Sequence, residues 1–303
     1  MRIAVTGSSG LVGSDLLIAL REGGHDVLRM VRAKPAGRGA AYWNPDTGEI
    51  DTTALAECDA VIHLAGANIG EKRWTEARKR DILESRTKGT GLIAETLAKL
   101  DGGPRTLVSM SGVHIYGDRG DEPLTEDAAP GSDLFMTRVA TAWEAATAPA
   151  EAAGIRVAHV RGAVSITPKG STLARMLPLF RLGLGGRLGS GRQWWAWTSL
   201  DDMIGILIHA ALDPDVRGPL NAVAPNPVTN AEFTRILAKV LGRPAVLPVP
   251  SFGPRLVFGD LADELIYASI RAIPKRTLAS GYTFIHADLE SALRDLLGRR
   301  DAA

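Results

Sequence analysis

Short apolar segments alternate with longer amphipathic segments through the first half of the chain. The short segments have the length of buried β-strands, and the segments between them repeat apolar residues at helical spacing. Strands separated by helices predict an α/β fold, with a parallel sheet that helices cover on both faces. The predicted strands are RIAVTG, HDVLRMVR, GAAYWN, CDAVIHLAG, RTLVSMSG and IRVAHVRGAV, and the predicted helices run from the first glycine cluster to about Arg21, over residues 73–100 and within residues 133–154.

The pattern changes after about residue 164. Residues 165–194 are rich in Gly, Arg and Leu and lack the alternation of strands. The following segment resembles the end of a strand and then a helix that begins at Ser199 or Asp201. We therefore predict a main domain of residues 1–164, to which residues 195–224 return, and a smaller C-terminal α+β lobe of residues 165–194 and 225–303.

The composition narrows the function classes. A formal net charge of +1 provides no overall field that would attract nucleic acid or an anionic membrane. The single cysteine, Cys58, cannot form an internal disulfide, which suits a reducing compartment. No apolar run has the length of a membrane span, and the N-terminal segment lacks the apolar core of a signal peptide. These features predict a cytoplasmic protein, and we expect neither a metal site nor a nucleic-acid partner.

The stretch TGSSGLVG joins the first strand to the first helix and carries the candidate binding chemistry. Gly7 permits a tight turn, Gly10 lets the backbone approach a pyrophosphate, and Gly13 allows close packing of the helix on the strand. The start of a helix offers free N–H groups and a partial positive charge to phosphates. This arrangement predicts a Rossmann-like, doubly wound dinucleotide-binding fold, with a purely structural glycine-rich turn as the alternative.

The end of the second strand bears on which dinucleotide binds. NAD-binding sites usually place a carboxylate there to bind the ribose hydroxyls, but this sequence reads LRMVRAKP. Arg32 can pair with a 2′-phosphate, so the sequence favours NADP(H) as cofactor. The alternative is that Arg32 is a solvated charge, and Arg29 and Lys34 are weaker candidates for the same role.

Four motifs, TGSSGLVG, DAVIHLAGA, RWTEARKRDILESRTKGT and SMSGVHIYG, resemble the extended short-chain dehydrogenase/reductase superfamily. FRLGLGGRLGSGRQ, LNAVAPNPVTNAEF and IPKRTLASGY resemble its atypical branch known only as "epimerase family protein", which carries a C-terminal domain of unknown function. The resemblance implies a cofactor site formed by Gly7, Ser9, Gly10, Leu11, Val12, Val31, Arg32, Leu64, Ala65, Asp81, Arg86 and Val160. Val160 enters as a backbone contact at the end of its strand.

The resemblance also exposes a departure in the catalytic residues. The superfamily uses a Ser or Thr, a Tyr and a Lys, with the last two spaced Tyr-x-x-x-Lys on one helix. The segment DLFMTRVATAWEAA contains neither residue, and the pair falls on Phe135 and Val139 or on Met136 and Ala140.

Three other residues remain candidates for the chemistry. Ser111 can orient a substrate oxygen or simply cap a turn. His114 can exchange a proton near neutral pH or lie solvated in a loop. Tyr116 is the remaining phenol nearby, with a role in shaping the loop as its alternative.

The stretch RLGLGGRLGSGRQ presents Arg187, Arg192 and Gln193 as donors for an anionic or polyhydroxylated substrate. The tryptophans that follow either wall a flat pocket or fasten the small lobe to the sheet. We expect an NADP(H)-dependent oxidoreductase or epimerase-like enzyme acting on a small polar molecule. The alternative is a non-catalytic NADP(H) sensor or scaffold, and a homodimer is left open.

Overall fold

A computed structural model describes residues 1–35, 37, 39–70, 72–131 and 134–299. Its strands are β1 (Arg2–Thr6), β2 (Asp26–Val31), β3 (Ala40–Asn44), β4 (Glu49–Ile50), β5 (Ala60–His63), β6 (Thr106–Gly112), β7 (Pro123–Leu124), β8 (Arg156–Gly162), β9 (Val164–Ile166), β10 (Trp194–Trp195), β11 (Trp197–Ser199), β12 (Gly218–Ala222), β13 (Val228–Thr229) and β14 (Arg271–Ala272).

The α-helices are α1 (Leu11–Glu22), α2 (Thr52–Ala56), α3 (Glu76–Lys99), α4 (Phe135–Ala145), α5 (Ala148–Ala152), α6 (Ser171–Arg181), α7 (Leu200–Leu212), α8 (Asn230–Leu241), α9 (Phe252–Phe258), α10 (Asp260–Ala262), α11 (Lys275–Ala279) and α12 (Leu289–Leu296). A 3-10 turn covers Val113–Tyr116, and a π-helical turn covers Asp263–Tyr267. Helix α3 begins at Glu76 rather than at Arg73, because the Thr75 side chain caps it by accepting a hydrogen bond from the backbone of Arg78.

An eight-stranded sheet in the order β12-β8-β6-β5-β1-β2-β3-β4 forms the centre of the protein. Every neighbouring pair is parallel except β3 and β4, which pair antiparallel. Strand β1 lies between β2 and β5, so the chain moves outward in both directions from β1. The crevice at the carboxyl ends of β1 and β5 is the position at which such sheets bind ligands. The predicted α/β, Rossmann-like fold is confirmed.

Helices bury the sheet on both faces, as the all-apolar strands predict. One core cluster joins β1 residues such as Ile3 and Val5 to Leu16 of α1 and Ile206 of α7. A second cluster on the opposite face joins residues such as Ala4 and Leu107 to Ile93 and Leu97 of α3. The two clusters fix the positions of α1 and α3 relative to the strand ends.

The chain returns to the sheet after the lobe segment that contains α6. Ser199 caps α7 by accepting a hydrogen bond from the backbone of Asp202, so this helix starts at the first of the two predicted positions. Strand β12 then pairs with β8 at the edge of the sheet. A separate apolar cluster joins α6, α8 and α12 around Trp197.

Two buried carboxylates tie the C-terminal segment to the rest of the protein. Glu264 accepts hydrogen bonds from the backbone N–H groups of Phe135 and Met136, at 2.9 and 2.7 Å, and so caps α4. In the reverse direction, Glu126 accepts from the backbone N–H groups of Arg276 and Thr277, at 3.0 and 3.3 Å, at the start of α11. The starts of α4 and α11 thereby gain acceptors for backbone N–H groups that have no partner within the helix.

Among the helices of the described residues, none combines the length and the hydropathy needed to cross a membrane.

Candidate functional site

The turn between β1 and α1 is a cradle formed by backbone atoms. Gly7 has a φ of +65°, and a Cβ atom there would lie 2.8 Å from the carbonyl carbon of Leu64. A Cβ atom at Gly13 would lie 2.2 Å from the carbonyl oxygen of Gly7. Only glycine satisfies both positions, because any larger residue would push the turn away from β5 or from its own helix.

The start of α1 has free donors facing that cradle. Its N-cap is Gly10, no side chain caps it, and its first turn contains no acidic residue. Ser9 and Gly10 are exposed, while Leu11 and Val12 are half-buried. An uncapped helix N-terminus beside a glycine turn suits the pyrophosphate of a dinucleotide. The residues present therefore fit the group that the sequence predicts.

Thr6 fixes the crevice between β1 and β5, and the sequence reading missed it. Its hydroxyl accepts hydrogen bonds from the backbone N–H groups of Leu64 and Ala65, at 3.1 and 3.2 Å. The same hydroxyl bonds Nδ1 of His63 at 2.8 Å. The sequence feature that could have identified Thr6 is a lone hydroxyl residue at the end of an apolar strand, directly before the first glycine. Leu64 and Ala65 lie at the strand end expected for cofactor contacts and are half-buried.

A free cation follows the end of β2. Val31 ends β2, and the exposed Arg32 follows it, without a hydrogen bond or ion pair to any residue in the described part of the chain.

Two other residues that were predicted to contact the cofactor, Asp81 and Val160, are less well placed to do so. Asp81 is exposed on α3, 3.9 Å from Arg78. Val160 lies inside β8, which continues to Gly162, and its side chain is buried in the core, so the prediction that Val160 ends the strand is wrong.

Ser111, near the carboxyl end of β6, belongs to a buried polar chain. Its hydroxyl donates to Glu144 Oε1 of α4 at 2.8 Å. Arg161 of β8 also donates to Glu144, with Nε to Oε1 at 2.8 Å and Nη2 to Oε2 at 2.9 Å. Burial raises the pKa of Glu144, but the hydrogen bonds and charge of Arg161 outweigh it and the net pKa is lowered. Glu144 is therefore a fixed anion, and it orients the Ser111 hydroxyl.

Tyr116 lies deeper in the same chain of hydrogen bonds. Its hydroxyl accepts from Arg161 Nη1 at 2.9 Å and donates to Asn221 Oδ1 at 2.7 Å, and the residue is 0% exposed. Burial raises its pKa despite the nearby Arg161. A phenol that is fully paired and hard to ionise is better suited to holding the loop than to exchanging protons.

His114 lies on the 3-10 turn after β6 and is partly exposed. Burial of its ring, with a smaller contribution from the positive charge of Arg86, lowers its pKa to about 4. The imidazole is therefore uncharged at neutral pH, and one ring nitrogen can accept a proton while the other donates.

Helix α4, which lacks the Tyr-x-x-x-Lys pair, has apolar side chains at the corresponding positions. Phe135, Met136, Val139 and Ala140 are at most 8% exposed. Phe135 makes an edge-to-face contact with Trp74, with ring centroids 5.3 Å apart. Whichever of the two alignments applies, no acid or base stands at the expected positions.

The residues predicted to bind substrate fall into two classes. Arg187 and Arg192 are exposed on the glycine-rich loop, and Arg187 donates to the carbonyl oxygen of Ser190 at 2.9 Å. Gln193 is 7% exposed and donates to the carbonyl oxygen of Leu188, so it holds the loop together.

The three tryptophans that follow Gln193 in the sequence hydrogen-bond other segments of the chain through their indole N–H groups. Trp194 donates to Asp121 at 2.7 Å, Trp195 to the carbonyl oxygen of Ile266 at 3.1 Å, and Trp197 to that of Asn226 at 3.2 Å. Of the two open interpretations, these bonds favour fastening of the lobe over a flat pocket wall.

The sequence profile of the NAD dependent epimerase/dehydratase family matches residues 3–222, and that of the domain of unknown function DUF1731 matches residues 249–296. The chain belongs to the NAD dependent epimerase/dehydratase family. The resemblance to its "epimerase family protein" branch is confirmed by relatives of that description.

An epimerase family protein of Mycobacterium bovis is 42% identical over 96% of both chains. The crystal structure of human epimerase family protein SDR39U1 with NADPH matches with a TM-score of 0.87 and 35% identity, over 98% of this chain and 99% of that one. The crystal structure of the nucleoside-diphosphate sugar epimerase from Corynebacterium glutamicum matches with a TM-score of 0.80 and 37% identity, over 98% of this chain and 58% of that one.

In this epimerase-family chain, the candidate residues meet along the carboxyl edge of the sheet. The phosphate loop, Arg32, Leu64, Ala65, Ser111 and His114 lie at or just beyond strand ends, whereas Asp81 and Val160 do not. The sequence reading also missed Arg161, and the signal that could have identified it is a charged residue next to the carboxyl end of the strand RVAHVRG. A buried charge of this kind requires a partner, and that partner is Glu144.

Proposed function

We propose that the protein binds NADP(H) at the crevice between β1 and β5 and transfers hydride to or from a small polar substrate, as an oxidoreductase or as an epimerase. The observation that carries the proposal is the Gly7–Gly13 cradle against the uncapped start of α1. The free Arg32 at the end of β2 supports NADP(H) over NAD(H). The NADPH in the crystal structure of human SDR39U1 supports the same cofactor.

Ser111 is proposed to position the reacting oxygen. Because the Ser111 proton is donated to Glu144, the lone pairs of its oxygen are left to accept a hydrogen bond. A substrate hydroxyl, which has a proton to donate, matches this acceptor better than a carbonyl does. Glu144 acts through Ser111 and is a positioning residue.

His114 is proposed to carry the proton. When bound, NADP(H) supplies or accepts the hydride. Oxidation of a secondary alcohol also releases its single hydroxyl proton. That proton leaves the hydrogen bond to Ser111 and is accepted by the uncharged His114 ring, which passes it to water. Reduction runs through the same groups in reverse. Arg187 and Arg192, both exposed, are proposed to attract an anionic or polyhydroxylated substrate.

A second candidate function is a non-catalytic NADP(H) sensor. The observation that favours it is the apolar face of α4, where Phe135, Val139, Met136 and Ala140 replace both alignments of the usual acid–base pair. The polar chain from Ser111 to Arg161 favours the enzyme, because a sensor needs no oriented hydroxyl at a strand end.

The cofactor assignment is tested by fluorescence titration of NADPH and NADH into the wild type and the Arg32→Asp variant. We expect the wild type to prefer NADPH. Loss of a charge-assisted contact to phosphate predicts that Arg32→Asp weakens NADPH binding by roughly tenfold to a hundredfold, with little change for NADH. The matched control is Arg217→Asp, the same charge reversal at an exposed arginine directly before β12, at the opposite edge of the sheet. Equal affinities across all combinations would overturn the NADP(H) assignment.

The enzymatic assignment is tested by incubating the protein with NADP(H) labelled at the hydride position and a panel of sugars, ketones and enones. Transfer of label that depends on Ser111, and that declines in Ser111→Ala, supports the enzyme. Binding of the cofactor without any transfer across a broad panel supports the sensor.

A further inference from the structure

The exposed apolar side chains of the protein are concentrated in residues 179–184 and 246–257, which we call together the apolar face. Of the thirteen large apolar residues that are exposed in the described part of the chain, eight lie in these two segments, each 54–81% exposed. The four most exposed are Leu182, Val246, Phe252 and Leu256. Apolar residues that are exposed singly are ordinary, but a concentration of this kind marks an interaction surface.

The two segments of the apolar face lie side by side. The carbonyl oxygen of Leu247 lies directly against Gly186, where it leaves no room for a Cβ atom. The backbone N–H of Val249 donates to the carbonyl oxygen of Arg187, and that of Gly189 donates to the carbonyl oxygen of Val249, both at 2.9 Å. The end of α6 and the segment that leads into α9 therefore form one continuous surface.

The chain around the apolar face carries positive charge only. Residues 165–199 and 242–259 contain seven arginines and lysines, and all 34 acidic residues lie elsewhere. Two of these cations, Lys169 and Arg255, pair with carboxylates from other segments. The other five form no ion pair with any residue that the structure describes, and they are Arg175, Arg181, Arg187, Arg192 and Arg243. The net charge of +1 for the whole chain thus conceals a local excess of positive charge.

Exposure and charge together select the partner of this face. A second copy of the same face would bring unpaired arginines against one another, which disfavours self-association. Side chains that are more than half exposed protrude, so a rigid partner would need a matching concavity, whereas the head-group region of a bilayer adapts to them. Anionic lipids attract nearby arginines, whose long side chains can lie along apolar surface while the guanidinium stays among the head groups.

We propose that the apolar face docks the protein on the surface of an anionic lipid bilayer. The four most exposed apolar side chains enter the boundary between head groups and acyl chains. Arg181, directly before Leu182, and Arg243, directly before the segment that holds Val246, bind the lipid phosphates. This attachment involves one leaflet and requires no membrane-spanning helix. It is independent of the proposed cofactor binding, since none of these residues belongs to the crevice between β1 and β5.

Vesicle co-sedimentation of the whole chain tests the proposal. The vesicles contain either phosphatidylcholine alone or an equal mixture of phosphatidylcholine and phosphatidylglycerol. We expect the protein to sediment with the mixed vesicles and to stay in solution with phosphatidylcholine alone. Raising NaCl from about 0.1 M to about 1 M shortens the screening length from roughly 10 Å to roughly 3 Å, and should weaken binding to the mixed vesicles by at least about tenfold.

The apolar contribution is tested by Leu182→Ser/Leu256→Ser. Loss of two exposed apolar side chains should weaken binding to the mixed vesicles by at least about tenfold. The matched control is Ile18→Ser/Ile285→Ser, because both isoleucines are exposed and lie outside the apolar face. The control should bind as the wild type does.

The charged contribution is tested by Arg181→Gln/Arg243→Gln. Each arginine near an anionic surface should contribute roughly fivefold to the affinity, so the double variant should bind the mixed vesicles about 25-fold more weakly. Arg21→Gln/Arg217→Gln is the matched control, because these two arginines are exposed on other parts of the surface.

Thermal denaturation checks that the variants are folded. If Leu182→Ser/Leu256→Ser does not fold, Phe252→Ser makes the same comparison with a single exposed residue. Unchanged vesicle binding in both the apolar and the arginine variants would overturn the assignment of the face, and equally tight binding to phosphatidylcholine alone would overturn the role of its charge. A wild-type protein that stays in solution with the mixed vesicles would overturn the proposal. In that case, a dimer detected by light scattering that becomes a monomer in Leu182→Ser/Leu256→Ser would show that a second copy covers the face.

Discussion

The phosphate loop and the region around α4 lie along the same edge of the sheet, but the first is formed by backbone groups and the second by side chains. The loop is made of backbone: two glycines set its shape, and the start of α1 supplies uncapped N–H groups. The α4 region is made of side chains drawn from distant parts of the chain, with Ser111, Glu144 and Arg161 coming from β6, α4 and β8.

This difference indicates which residues of such a site tolerate substitution. A backbone cradle needs residues that lack a side chain, so few substitutions are tolerated there. A side-chain site can lose its acid–base pair while the helix that carried it stays in place, provided that other groups satisfy the buried polar atoms. In this protein the Glu144–Arg161 pair occupies the polar interior, and apolar residues fill the face of α4.

The largest expected effect is on the side-chain region. Arg161→Met removes the buried partner of Glu144, which leaves an unpaired carboxylate in the interior. Breaking a buried pair in this way should lower the free energy of unfolding by about 3–5 kcal/mol, measured by urea denaturation. The double variant Glu144→Leu/Arg161→Met removes both charges and should recover part of that loss. A loss below about 1 kcal/mol in the single variant would contradict the importance of this pair.

The second prediction concerns His63, which lies at the end of β5 beside the phosphate loop. Its ring bonds Thr6 beside the phosphate loop, and burial, with a smaller contribution from Arg86, lowers its pKa from 6.5 to about 4. The unfolded chain therefore binds a proton more readily than the folded protein does. The stability contributed by the neutral ring is complete above about pH 6.5 and is lost as the pH falls toward 4, by about 3 kcal/mol at most.

Urea denaturation between pH 4 and pH 7 measures this effect. The difference between the wild type and His63→Gln isolates it from other groups that titrate in the same range. Parallel pH profiles for the two proteins would show that His63 does not titrate as its burial predicts.

The smallest expected effect is on the backbone region. Gly13→Ala places a methyl group 2.2 Å from the carbonyl oxygen of Gly7 and should destabilise the protein by about 1–3 kcal/mol, with loss of cofactor binding. Gly91→Ala is the matched control, because it lies within α3 and its Cβ atom would meet nothing within 4 Å. It should stabilise the protein by about 0.5–1 kcal/mol. Thermal denaturation and NADPH titration check both variants, and equal behaviour of the two would remove the distinction between cradle and helix.

The sequence predicted the fold and the position of the tight glycine turn between β1 and α1, because both depend on neighbours along the chain. Alternating apolar segments define the strands, and the spacing of Gly7, Gly10 and Gly13 defines the turn. The sequence did not predict that Ser111 donates to Glu144, since the two residues are far apart in the chain and only the packing of α4 on β6 brings them together. The apolar pattern predicted a strand over residues 155–164, and β8 spans Arg156–Gly162, so it was the resemblance and not the pattern that placed Val160 at the strand end.

The reciprocal capping by Glu264 and Glu126 bears on how the two matched regions fold. Each region contributes the acceptor that terminates a helix of the other. Separating the two regions would leave each of them with unsatisfied N–H groups at one helix start and with a carboxylate that has lost these donors. The Rossmann-like part and the segment of unknown function are therefore expected to unfold as one cooperative unit, with neither able to serve as an independent module.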